Sequence, residues 1–334
     1  MTDVATVGRH ETIRVYPSAI LLCAMAAFFG IAAGYGWLGE ARDRLNYLDV
    51  WNQLTSHYDP TFSRFERGYT WSSWFARFYL MLDFQQFYAL LATVALAVKF
   101  RLIWKHADAP LVAALAYLMI LYPLHEYTQI RASVGLGFAY LAIDSYLERR
   151  LRRAIVCAVI AVLFHSSTLA IGLAVVAILL LRRMPPVVTA TALGATATLG
   201  AAVVPRILDL LQQLNPLVAS YLEQSDAGGT PNLLSGETIL LVLTIMASAV
   251  FLRPWRRSGD MFFFFLGSWS VVLLAAFAQM PVFAFRLEEA FIFPFFLFAF
   301  RYDQSVGSRM PSLLMIATGA WMLNIALASG LISS

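Results

Sequence analysis

Apolar stretches, most of them about the length of a membrane-spanning helix, recur along nearly the whole chain and constrain its fold more than any other feature. They fall at 16–38, 83–104, 109–124, 130–147, 154–181, 187–204, 238–252, 261–280, 287–300 and 312–332. About 20 apolar residues in a helix cross the roughly 30 Å of a bilayer's hydrocarbon core. Lipid offers the backbone no hydrogen bonds, so a spanning segment must satisfy its own. The pattern predicts an all-α, polytopic membrane helical bundle of about 10–11 transmembrane segments, forming a single transmembrane domain over 1–334. Two long outer loops are expected, at about 40–82 and 205–237. Only 13% of the 334 residues are charged, against about 25% in a soluble domain. The connections leave no room for a soluble catalytic domain. The first run is too long for a signal-peptide core and reads as a retained span.

Basic residues orient the bundle. With the N-terminus cytoplasmic, the inner connections hold most of the 24 lysines and arginines, Lys99, Lys105, Arg149, Arg150 and Arg301 among them. This agrees with the positive-inside rule. The net charge of +4 is therefore a topology signal, and no nucleic-acid partner is expected. The segment 154–181 resists a single straight span, because Arg152-Arg153 precede it and Arg182-Arg183 follow it. A hairpin turning near Phe164-His165-Ser166-Ser167 keeps both pairs inside and sets the turn in a depression below the outer surface. The stretch 69–82, rich in Trp and Tyr, suits an amphipathic helix in the interface.

Inner loops are short, so chemistry belongs on the outer face. Charge at membrane depth is costly and marks candidate sites. Arg131 enters a span one turn after His125-Glu126; its guanidinium suits phosphate oxygens, and the bland alternative is a structural arginine snorkelling or paired with Glu126. His165, at the hairpin turn, can exchange a proton near neutral pH or simply pin the turn. Arg286 also enters an apolar run, with Glu288 and Glu289 as possible ion-pair partners. These three are the candidate catalytic residues. In the first outer loop Arg44, Asp49, Arg64, Glu66, Arg67, Tyr69 and Trp71 mix carboxylates, guanidiniums and aromatic rings as a sugar site would, or form an ordinary solvated loop. Cys23 and Cys157 stand alone in apolar runs. No phosphate-binding glycine loop, dinucleotide fingerprint, HExxH or CxxC is present, so ATP hydrolysis and thiolate metal sites are not expected.

The order of these features resembles the EpsG-like, Wzy-type bacterial polysaccharide polymerases. Arg42-Asp43 and Tyr47 are followed by Phe65-Glu66-Arg67-Gly68-Tyr69, then by Gln129-Ile130-Arg131, then by a basic turn. Phe164-His165-Ser166-Ser167-Thr168-Leu169 is similar to the family's "fH-S-x-L" element, and Phe285-Arg286 comes late. The resemblance implies a GT-C-like membrane glycosyltransferase architecture in the bacterial inner membrane, with an active site facing the periplasm. It implies glycosyl transfer between oligosaccharide repeat units carried on undecaprenyl diphosphate, with no cofactor and no metal. Membrane lipid and a chain-length regulator protein are the further partners implied. Arg131 and Arg286 would then stabilise the diphosphate and His165 would accept the hydroxyl proton, with Glu66 or Asp49 as the alternative base. A transporter or flippase of lipid-linked oligosaccharide is the rival reading. It should show matching internal repeats, and none is evident. A membrane acyltransferase would need an inner-face route to its donor.

Overall fold

Asp83 opens the longest helix. Its side chain accepts from Gln86 N at 2.7 Å, while Asp83 N donates to Gln86 Oε1 at 3.1 Å, a reciprocal cap that satisfies two orphan donors. Helix α4 then runs Phe84–His106, with Lys105 and His106 in its last turn, where cations offset the helix dipole. Its 23 residues are about 34 Å long at 1.5 Å per residue. Helix α1 (Pro17–Tyr35) packs along it, with Gly30 against Thr93 and Gly34 against Ala89, the spacing that lets two spanning helices approach closely.

The computed structural model describes residues 17–39, 42–59, 65–181, 232–254, 258–278, 280–302 and 306–328, with scattered positions between 185 and 206. All regular structure among them is helical, and the protein is an all-α membrane protein. Pro17–Tyr35, Phe84–His106 and Gly259–Ala276 are long and apolar enough to cross a membrane by length and composition; Pro110–Ile120, Thr168–Leu180 and Gly236–Leu252 are shorter apolar helices. The expected span at 187–204 and the loop at 205–237 lie largely outside the described residues, as does Arg64.

Two expected spans take a different form, and a third breaks where a hairpin turn is expected. The run at 109–124 is helical only over α5 (Pro110–Ile120) and continues as turns to Gln129. The run at 287–300 belongs to a helix that starts earlier, at Pro281, and ends at Ile292, followed by the short helix Phe295–Phe298. Proline favours a first helical turn and lacks the N–H needed inside one, so Pro281 starts this helix and Pro294 divides it from the next. Arg286 accordingly sits inside a helix and does not begin one. The run at 154–181 breaks into α7 (Leu151–Phe164) and α8 (Thr168–Leu181) at His165-Ser166-Ser167. Leu151 and Ile155 of α7 line the same cleft as Ile171, Gly172 and Val175 of α8. A straight helix would hold Leu151 and Val175 about 36 Å apart, so α8 turns back beside α7 as a hairpin with splayed arms.

The ends of these helices gather on one face. His106 Nε2 lies 2.8 Å from Asp144 Oδ1, and Lys105 Nζ lies 2.7 Å from Glu148 Oε1, which joins the end of α4 to the end of α6 (Ile130–Leu147). From this basic face α5 and α7 rise only about 17 and 21 Å, against about 34 Å for α4. By length, their far ends stop more than about 10 Å short of the level at which α4 begins; above α5 the chain continues as buried turns to Gln129. The loop at 40–82 contributes two helices on that side, α2 (Arg42–Gln53) and α3 (Arg67–Phe78). Tyr47 and Trp51 of α2 pack on Tyr88 and Phe87 near the start of α4.

Candidate active site

Glu66 ends the loop before α3 and occupies that helix's N-cap, but its carboxylate does not cap its own helix. It turns toward the start of α6 and the α7–α8 turn. Oε2 bonds Arg131 Nη1. Oε1 accepts from Ser166 N at 3.3 Å and from Ser166 Oγ at 3.4 Å. His165 Nδ1 is 3.3 Å from the same oxygen, within ion-pair distance but off the line of a hydrogen bond. One carboxylate thus ties the first loop, the start of α6 and the α7–α8 turn together. Arg131, Glu66 and His165 side chains keep about a fifth of their surface exposed, so the cluster is half-buried yet reachable.

Two close backbone approaches make this arrangement possible. A Cβ on Gly68 would sit 2.6 Å from the Leu163 carbonyl oxygen, so α3 can reach the end of α7 only with a glycine there. A Cβ on Gly135 would sit 2.8 Å from His165 Cβ, which brings α6 against the turn one helical turn from Arg131. Sequence reasoning quoted Gly68 only as part of the 65–69 stretch and gave neither glycine a packing role. Their signal was an isolated Gly within a helical pattern, which commonly marks a packing requirement.

The electrostatics follow from the packing. Burial would by itself raise the Glu66 carboxyl, but the imidazole of His165 and the charge of Arg131 outweigh it and hold the group at about 2, below its ordinary 4.5. Glu66 is therefore a weak base that stays ionised. The Arg131 guanidinium lies over the Phe65 ring at 3.9 Å and near the Tyr47 ring at 5.6 Å, a stacked position that suits arginine more than lysine. Its Nε is buried with no hydrogen-bond partner. Among the described residues no group of three His, Cys, Asp or Glu side chains could hold a metal ion.

A family model described as the EpsG family matches residues 19–327. The chain belongs to the EpsG family. This is a Wzy-like polysaccharide polymerase family, so the protein has a polysaccharide-polymerase type of role in a membrane, with a lipid-linked sugar as the substrate class. No curated protein and no solved structure matches the chain.

The remaining candidates in this EpsG protein are scattered. Arg131, His165 and Glu66 meet; Arg286 does not join them. It is exposed on the helix Pro281–Ile292, with no ion pair among the described residues, and is linked to the cluster only indirectly. Its neighbour Glu289 accepts from Gln129, two residues before Arg131, at 3.4 Å. Arg67 and Trp71 are exposed on α3. Trp71 stacks on Phe75 at 5.5 Å, and Phe75 on Tyr79 at 5.3 Å, an exposed aromatic row at helical spacing. Tyr69 does not offer its ring to a ligand: it is wholly buried against Tyr47, Phe65 and Phe87. Arg44 binds the carbonyls of Ala33 and Gly34 at the end of α1. Asp49 is exposed and accepts from Gln53 at 2.8 Å. The side chains of Arg42 and Arg64 lie outside the described residues.

Glu126, the alternative partner considered for Arg131, is engaged elsewhere. Glu126 pairs with Lys99 at 2.7 Å, both fully buried. Lys99 is thus no inner-loop cation. Tyr117 and Ser133 complete the network at 2.7 and 2.8 Å from Glu126 Oε1.

Proposed function

We propose that this protein joins oligosaccharide repeat units carried on undecaprenyl diphosphate, at the periplasmic face of the bacterial inner membrane. The observation that carries the reading is the half-buried Arg131–Glu66–His165 cluster, in which one carboxylate joins the start of α6 to the α7–α8 turn. A donor whose reactive diphosphate lies at the membrane surface needs cations at that depth. Arg131 stabilises the negative charge that develops as the bond from the anomeric carbon to the diphosphate breaks. The hydroxyl of the incoming unit forms the new bond to that carbon and gives its proton to His165. Glu66 Oε1 lies beside Nδ1, and Nε2 is the nitrogen that takes the proton in this reading. The held-down Glu66 carboxyl supports an orienting role for it and argues against its serving as the base.

Arg67 and Trp71, exposed on α3 beside the cluster, are the side chains placed to meet sugar or diphosphate. Arg286 is a second cation for the substrate, acting from the helix Pro281–Ile292. Arg64 precedes α3 and is proposed for the same sugar-binding region. The described residues hold one broken helical hairpin, α7–α8, and no matching half, which favours a fixed reaction site over alternating access.

The test is polymer length in cells lacking the chromosomal copy and carrying Arg131→Lys, His165→Ala or Glu66→Gln, each checked for normal insertion and purification. Surface glycan restricted to single repeat units in all three supports the reading. Wild-type chain length with Arg131→Lys and His165→Ala overturns it. Accumulation of units on the cytoplasmic side would point to a flippase.

A further inference from the structure

The apolar cleft beneath the cluster has no part in the chemistry described above. It lies between the second half of α6, α7 and the first half of α8, has a volume of about 320 Å³, and is lined almost wholly by carbon. Small side chains make it a groove: Ala139 and Ala142 on α6, Ala158 on α7, Gly172 on α8. A Cβ on Gly172 would meet nothing within 4 Å. From Leu151 near the basic face to Val162 below the turn the groove runs about 17 Å along α7. Its rim residues Ile155 and Leu169 are exposed, so it opens sideways toward lipid.

Where the groove ends is informative. Ala161 and Thr168 line its upper end, and both lie against Gly135 together with His165. The groove therefore stops one helical turn below His165 and Arg131. Its far end has the exposed Arg152 beside Leu151. A ligand filling the groove with its anionic head at the upper end would be a long hydrocarbon chain attached to a phosphate or diphosphate. Apolar area removed from contact with water or headgroups favours such a fit, and of the cations at its two ends the half-buried Arg131 is the less solvated.

We propose that the α6–α7–α8 cleft binds the polyprenyl chain of the lipid-linked donor, so that its diphosphate rises to Arg131 and His165. This rests on the polymerase reading of the cluster and adds the place where the lipid is held.

The experiment uses the full chain in nanodiscs and a sugar-free polyprenyl diphosphate carrying a photoreactive group on its chain. Labelled peptides are mapped for wild type, Ala158→Phe, Gly172→Leu and the lipid-facing control Leu173→Phe. Labelling within residues 139–175, reduced about tenfold by the two groove-filling variants and unchanged in the control, supports the proposal. So does competition by unlabelled polyprenyl diphosphate but not by an excess of anionic phospholipid. Equal competition by phospholipid, labelling spread over other lipid-facing helices, or no effect of Ala158→Phe and Gly172→Leu overturns it. The probe carries no sugar, so the result is read without turnover. A wild-type protein that labels in the groove yet makes no polymer sinks the polymerase reading alone, whereas normal polymer with labelling elsewhere sinks the groove alone.

Discussion

Lys99 Nζ lies 2.7 Å from Glu126 Oε1, and neither side chain reaches the surface. The pair anchors the irregular connection between α5 and α6, which leads directly into Gln129 and Arg131. Tyr117 and Ser133 donate to the same carboxylate, so the network is well satisfied. Removing one member of a buried pair strands the other charge and typically costs about 3–5 kcal/mol. Lys99→Met should therefore sharply lower thermal stability in detergent, and adding Glu126→Gln should recover most of the loss. A Lys99→Met protein as stable as wild type would mean that the pair does not hold the connection.

The approach of α3 to α7 gives a second prediction. Gly68→Ala places a methyl carbon against the Leu163 carbonyl, a backbone atom that no rotamer change can move. Helix α3 must shift, and Glu66 moves with it away from Ser166 N. Polymer formation should fall by at least tenfold, with a stability loss of about 1–3 kcal/mol, the range for overpacking. Gly259→Ala, where the added Cβ meets nothing, is the matched control and should leave both unchanged.

Much of the scaffold was legible because lipid enforces it. The long runs at 16–38 and 83–104 became α1 and α4, and the paired arginines around 154–181 pointed to the break at His165. An apolar run is not the same as a helix, however. Proline decided the bounds at Pro281 and Pro294, and the apolar residues after Ile120 pack as turns. The positive-inside rule weighs charges along the sequence and carries no information on burial, so Lys99 was assigned to a loop. Glu126 was the alternative partner weighed for Arg131 because it is near in sequence, while its partner Glu66 is 65 positions away. Phe65 to Tyr69 read as one surface stretch, whereas the start of α3 turns Tyr69 inward and leaves Arg67 and Trp71 outside.

Glu66 supplies a pH dependence with a definite sign. Its carboxyl is held at about 2 in the folded protein against an ordinary 4.5, so the folded state binds the proton less tightly than the unfolded one. The stabilisation is full above about 4.5 and is lost as pH falls toward about 2. The difference in melting temperature between wild type and Glu66→Gln should shrink as pH falls below about 4.5 and be lost near pH 2. A difference that stays unchanged from pH 5 down to pH 2 would show that the contribution of Glu66 does not depend on its being held ionised.

Tyr69 and Trp71 are two residues apart and should respond oppositely to alanine. Tyr69 is enclosed by Tyr47, Phe65 and Phe87, and truncating a buried aromatic costs about 3–5 kcal/mol. Tyr69→Ala should therefore reduce the yield of folded protein whatever the substrate. Trp71 faces outward on Phe75, and a surface substitution usually changes stability by no more than about 0.5 kcal/mol. If its face meets the sugar, Trp71→Ala should raise KM for the oligosaccharide several-fold, as expected for loss of an aromatic contact of about 1 kcal/mol, with kcat nearly unchanged. Unaltered KM in a folded Trp71→Ala protein would assign the exposed row Trp71, Phe75 and Tyr79 to the membrane interface, where aromatic rings also settle, and would move the sugar site toward Arg67 and the start of α3.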